Sequence, residues 1–327
     1  MKIKIQYIIL ALVIVVLSLY LLLRNPDRNV FDLPDIPPLD ADAITRIEID
    51  APERKVILHR EGGDWRMPPQ GHPVDSRKIE DMLAAMADLS LTAFISESKN
   101  YARYELDDDH RIRVRAYEGE ALQRELSIGK VADSQRHTFV RLPTQSAVYH
   151  ARDNLKRVFD QDREALRDKT VLSFAPDGVS ELQLGKTGQE VIFVRTGDSA
   201  TNAAEESVEQ EAGSEAASSV WRTTQGRAAD TARLERLLKD LSSLKCESFM
   251  TAEQKAALGD PIFSFNVSGA ESAALTIFKA PGEDDTRYAA VSSQNDDAFF
   301  LRKWKADDLM KDPQSLMPAE TSAEHEG

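Results

Sequence analysis

A single cysteine, Cys246, occurs in 327 residues, so no intramolecular disulfide can form and no cysteine-cluster metal site can be built. Cations are in deficit: 41 Lys and Arg stand against 55 Asp and Glu, a formal net charge of −14. That balance argues against nucleic acid as a partner, because phosphates demand clustered Lys and Arg. The histidines, at 59, 72, 110, 137, 150 and 325, never pair at a spacing of three or four, which leaves helix-borne zinc ligation unsupported. No G-x-S-x-G elbow occurs. Cys246 follows a helical stretch with no neighbouring histidine and reads as a buried small apolar residue instead of a nucleophile. Aromatic content of 7% and charged content of 29% are ordinary for a folded chain and exclude wholesale disorder. The expectation is a non-enzymatic protein with no cofactor, no metal and no catalytic residue.

Long apolar runs are also scarce, with one exception. Tyr7 to Leu23 contains no formal charge, and Ile5 and Gln6 extend the run to nineteen residues. At about 1.5 Å per residue that length approaches the ~30 Å hydrocarbon core. Tyr7 and Tyr20 stand near its two ends, where amphipathic rings favour the interface. The run ends Leu23-Arg24-Asn25-Pro26 without the small-residue triplet of a cleavage site, so an uncleaved anchor is expected over a signal peptide. Lys2, Lys4 and the amino terminus precede it, whereas Asp27 offsets Arg24 and Arg28 behind it. This bias points the N-terminus into the cytoplasm and the rest of the chain across the inner membrane, into the periplasm if the source is a Gram-negative bacterium.

Residues 24–43 hold Pro26, Pro34, Pro37 and Pro38 among five aspartates and read as an extended spacer. Residues 198–219 carry six acidic and no basic side chains, with Val208 the one large apolar residue, and read as a disordered acidic insert. Residues 313–327 read as an acidic tail.

The remainder repeats itself. Asp64-Trp65-Arg66, Gln70-Gly71 and Asp75 are matched by Val220-Trp221-Arg222, Gln225-Gly226 and Asp230. Ile79, Met82, Leu83, Met86 and Leu89 form one helical stripe, and Leu234, Leu237, Leu238, Leu241 and Leu244 form another at the same spacing. Asp75 and Asp230 are placed as N-caps, and Phe94 and Phe249 follow at one offset. Upstream, the strand pairs 44–49/55–60 and 179–184/190–195 correspond. Downstream, Leu106, Ile112 and Val114 correspond to Leu258, Ile262 and Phe263. Segments 126–130, 138–142 and 147–151 then match 275–279, 287–291 and 298–302. Asn154–Phe159 and Lys305–Met310 would be closing helices. The expected fold is α+β: an anchor over 1–23, a linker over 24–43, and two antiparallel units over 44–172 and 173–312.

Several fragments imitate sites. Gly185-Lys186-Thr187 lacks the earlier glycine of a phosphate-binding loop and precedes a strand, so it reads as a hairpin turn. Glu105 to His110 lacks the glycine and distal glutamate of a calcium loop and reads as a solvated turn. Candidate interaction residues are Trp65 and Trp221, as aromatic platforms or as core anchors, and Arg111, Arg113 and Arg115, which alternate along a strand and so face one way.

Trp65, Val74-Asp75, Tyr104-Glu105-Leu106-Asp107, Leu126-Ser127-Ile128-Gly129-Lys130, Val148-Tyr149 and Leu166-Arg167-Asp168-Lys169 together resemble the domain of unknown function 4340 family over about residues 44–310. Members of that family combine one membrane helix with an extracytoplasmic body. Many are encoded beside ABC-type transporter components and gliding-motility-like auxiliary proteins. The resemblance implies a scaffold or adaptor accessory to an ABC-transporter-like inner-membrane complex, with integral-membrane proteins as partners, and it carries over no catalytic residue. The second copy lacks the glycine of the Leu126–Lys130 motif. The alternative expectation is a binding module for a lipid, glycan or peptide in a groove between the repeats.

Overall fold

The computed structural model describes residues 12–20, 33–186, 188–196, 220–280 and 286–318. Residues 12–20 form helix α1, with its apolar side chains exposed. No helix among the described residues is long and apolar enough to cross a membrane. The remainder of the apolar run, the linker up to residue 32, the acidic insert and residues 319–327 lie outside the described residues.

The chain divides between Leu166 and Arg167 into two units of mixed α+β structure with antiparallel sheets. In the first, alternation of apolar and polar residues produces β1 (Arg46–Ala51), β2 (Arg54–Glu61), β3 (Asp64–Met67), β4 (His72–Pro73), β5 (Leu91–Ser96), β6 (Ile112–Glu118), β7 (Ala121–Val131), β8 (His137–Arg141) and β9 (Val148–Arg152). They form one sheet in the order β4-β3-β2-β1-β6-β7-β8-β9-β5. Period-2 alternation puts Ile47, Ile49, Val114, Leu126, Ile128 and Val140 on one face, fully or almost fully buried. Helix α2 (Ser76–Ala87) covers that face with Ile79, Met82 and Met86, and the Asp75 carboxylate caps it by accepting from the Arg77 amide. Short helices α3 (Leu155–Phe159) and α4 (Arg163–Leu166) close the core with Leu155, Phe159 and Leu166.

The second unit contains β10 (Thr170–Ser173), β11 (Val179–Lys186), β12 (Gln189–Thr196), β13 (Val220–Thr223), β14 (Ser243–Lys245), β15 (Ser248–Phe249), β16 (Pro261–Gly269), β17 (Ala273–Lys279), β18 (Arg287–Ser292) and β19 (Asn295–Arg302). Its helices are α5 (Thr231–Leu241), α6 (Ala252–Ala256) and α7 (Lys303–Leu309). The main sheet runs β13-β12-β11-β16-β17-β18-β19-β15, the order of the first sheet once β4 is set aside. Pairing agrees residue by residue on the first strands: Ile47 opposes Leu58 as Leu182 opposes Phe193, and Arg60 opposes Trp65 as Arg195 opposes Trp221. Even the entry to the covering helix matches. The Asp75 amide donates to the Leu166 carbonyl at 3.0 Å, and the Asp230 amide donates to the Leu316 carbonyl at 2.8 Å. At the far strands the segments read from sequence as partners are offset by one. Tyr149 and Phe299 are the residues opposing Phe94 and Phe249, because bulges in the β7/β8 and β18/β19 pairings defeat counting along the chain.

Three boundaries read from sequence move. Thr170–Ser173 pairs with β14, so residues 167–172 belong with the second unit. The proline-rich spacer is docked at its end: Ile36 and Leu39 pack against the first core, and the Asp42 carbonyl accepts from Arg60 at 2.7 Å. The start of the tail is also packed, since Leu316 is 1% exposed and its carbonyl accepts from the Asp230 amide at 2.8 Å. Apolar residues inside polar stretches decide each case: one or two such side chains are enough to seat a short segment on an existing core.

Candidate functional site: the charged sheet face of the first unit

The same alternation that buries one face of the first sheet sends Arg46, Glu48 and Asp50 from β1, Arg113 and Arg115 from β6, Glu125 from β7 and Arg141 from β8 to the other. Neighbouring strands set opposite charges side by side. Arg115 lies 3.0 Å from Glu48, Arg46 3.5 Å from the same carboxylate, and Arg113 3.7 Å from Glu125. Arg111, just ahead of β6, pairs with Asp108. Its pKa is lowered by burial and by Arg113 beside it, yet arginine stays protonated in any physiological range. The Arg46 guanidinium lies 4.1 Å over the Tyr117 ring and that of Arg141 lies 4.6 Å over Tyr101. Partly exposed pairs of this kind contribute at most ~1 kcal/mol each, so the array presents fixed charge more than it stabilises the sheet. On the second sheet the positions paired like Glu48, Arg113, Arg115 and Glu125 carry Gln183, Ser264, Asn266 and Ala274, and Glu181 stands at that of Arg46, so the alternating ion pairs are missing there. The charged face belongs to the first unit.

At the β8/β9 end of that face the charges give way to rings. Phe139 lies 4.9 Å from Tyr104 and 4.5 Å from His150, and His150 stacks on His137 at 5.5 Å and 19°. Tyr104 arrives on a tight turn (Tyr101–Tyr104) that rests directly on β7 at Gly129. A Cβ there would fall well inside contact distance of the Tyr104 carbonyl oxygen and 2.9 Å from Leu106 Cγ. Gly129→Ala should therefore lift the turn and lower stability by about 2–3 kcal/mol, in the range of overpacked sites. Urea denaturation measures it, and a loss under ~0.5 kcal/mol would show that the turn yields freely.

Burial, followed by the charge of His137, lowers the His150 pKa. The hydrogen bond to Asp107, 2.9 Å from Nδ1, and then the Asp107 charge raise that of His110. Histidine NMR titration should place His110 above and His150 below the ordinary value near 6.5. The linkage signs are opposite. His110 stabilises the fold below about pH 6.5, and that contribution is lost as pH rises through its raised folded pKa. His150 is better tolerated neutral, so its contribution is complete above about 6.5 and is lost as pH falls from there through its depressed folded pKa. The groups around it are His137, Arg103, Lys130 and Asp133.

Of the residues singled out from sequence, Arg111, Arg113 and Arg115 come together on this face. The tryptophans do not: each belongs to its own unit, Trp221 fully buried and Trp65 packed against the first core. Cys246 is 6% exposed. Among the described residues no three His, Cys, Asp or Glu side chains are grouped so as to hold a metal ion. Reading by sequence spacing missed the His137–Phe139–His150–Tyr104 cluster, since its members meet only across strands. The alternation at 137/139/141 and 148/150 was the available signal.

No curated protein and no solved structure matches the chain. The model of the family described as Domain of unknown function (DUF4340) matches residues 65–261, more than half of the chain, and the chain belongs to that family.

Proposed function

We propose that this is a single-pass membrane protein whose extracytoplasmic body acts as a scaffold or adaptor for a transporter-like inner-membrane complex. The apolar run over 5–23, with Lys2 and Lys4 ahead of it, supports the anchor and its orientation; residues 12–20 of that run are helical. The body descends from an internal duplication, a reading supported by the shared strand order and by the matching contacts at Asp75 and Asp230. The observation that carries the adaptor reading is the charged face of the first unit. The fold does not require it, because the second sheet does without it. Its mutual salt bridges hold the side chains in place, and fixed charge of both signs favours specificity and register over raw affinity.

The test is co-purification in mild detergent with tagged permease subunits encoded next to the protein. Recovery in a stable complex is expected, weakened by Arg113→Gln with Arg115→Gln while the thermal transition of the isolated chain stays within a few degrees. Recovery of the wild-type chain alone in several mild detergents would overturn the reading.

A further inference from the structure

Beside the ring cluster of the first unit lies a depression of about 300 Å³. Ile95, Tyr104 and Phe139 supply its apolar wall; Arg103, Lys130, Asp133 and His150 supply its polar one. Three features there are not explained by the fold. The Arg103 and Lys130 side chains form no ion pair or hydrogen bond among the described residues, so two cations face one carboxylate. His150 Nε2 is buried without a hydrogen-bond partner, a state that costs about 1–3 kcal/mol and is rare in native proteins. And the second unit carries different residues at the corresponding place: Phe300 stands at the pairing position of His150 and Ala289 at that of Phe139, with the Arg287 guanidinium 4.1 Å from the Phe300 ring. Phe300 and Ala289 join Met250 and Ala298 in a small apolar cluster with Leu258 and Phe278 packed on it. The architecture accepts a packed phenyl ring at this position, yet the first unit keeps an imidazole with an unpartnered nitrogen beside an open, aromatic-walled depression.

We propose that this depression binds a small ligand in which an oxyanion, carboxylate or phosphate, is carried on a planar apolar group. Arg103 and Lys130 hold the oxyanion, Tyr104 and Phe139 hold the ring, and His150 supplies a further polar contact. Because Nε2 has no accessible surface, reaching it requires a local side-chain shift, which makes His150 the reporter of binding. The inference stands independently of the adaptor reading. The experiment is histidine-observed NMR on the full chain in detergent, titrated separately with benzoate, phenyl phosphate and uncharged benzyl alcohol. A saturable shift of the His150 resonance with benzoate assigns a carboxylate site and one with phenyl phosphate a phosphate site; benzyl alcohol should leave it unmoved. Arg103→Gln with Lys130→Gln should weaken the response at least tenfold, with unaltered His59 and His110 resonances showing that the variant is folded. No shift with either anion, an equal shift with benzyl alcohol, or wild-type affinity in the folded double variant overturns the proposal.

Discussion

Trp221→Ala is expected to destabilise the second unit by about 4 kcal/mol, within the range for truncating a fully buried large aromatic side chain. Trp221 is 0% exposed on β13, inside a core built from Phe193, Phe265, Leu234, Leu238 and Phe299. The Arg195 guanidinium lies 5.0 Å from its ring and donates to the Asp177 carbonyl at 2.8 Å, so truncation also removes the surface against which that arginine is held. Trp221→Phe isolates the cause. It retains most of the apolar contact and removes an indole N–H that is buried without an acceptor, so a cost under ~1.5 kcal/mol is expected. Trp65→Ala should cost less than Trp221→Ala, because Trp65 is only partly buried. Chemical denaturation of the three variants measures this order; equal losses at Trp65 and Trp221 would refute the assignment of Trp221 as the deeper anchor.

The second large effect is expected at Arg124, which is 8% exposed and donates to the carbonyls of Met86 and Pro37. The last carbonyls of a helix lack intrahelical partners and present the negative end of its dipole. Helix α2 has no basic residue in its own last turn, so Arg124 of β7 supplies the charge from the sheet. Helix α5 has Lys239 in its last turn, and Ala273 stands at the position paired like Arg124. Arg124→Ala should cost about 3 kcal/mol, since two charge-assisted hydrogen bonds of roughly 1.5–3 kcal/mol each are lost against partial rehydration of the carbonyls. It should also free the segment around Pro37, giving new cleavage between Leu33 and Asp42 in limited proteolysis. Arg124→Lys, keeping one donor group, should recover part of the stability. An unchanged cleavage pattern in Arg124→Ala would show that Ile36 and Leu39 seat the segment without help.

Much of this architecture was legible because it is written in short-range periods. The stripes at 79–89 and 234–244 announced α2 and α5, Asp75 and Asp230 announced their caps, and the alternation at 46–51 and 179–186 announced paired strands. What escaped was anything set by a few apolar residues in a polar context, such as Ile36, Leu39 and Leu316, whose docking depends on a core assembled elsewhere in the chain. The candidate site was half legible. Alternation alone put Arg113 and Arg115 on one face, but it could not name Glu48 and Glu125 as their partners, because register across β1, β6 and β7 is a property of the assembled sheet.

By itself the sequence determined the α+β class, the two covering helices, the scarcity of cysteine and cation chemistry, and the apolar run that supports an anchor. These depend on residue type and local spacing. Only the tertiary structure decided which unit carries the charged face, that Gly129 is glycine so that a turn can rest on β7, and that His137 and His150, thirteen residues apart, stack on one another. Those facts depend on strand pairing, where a single bulge moves every later neighbour by one position.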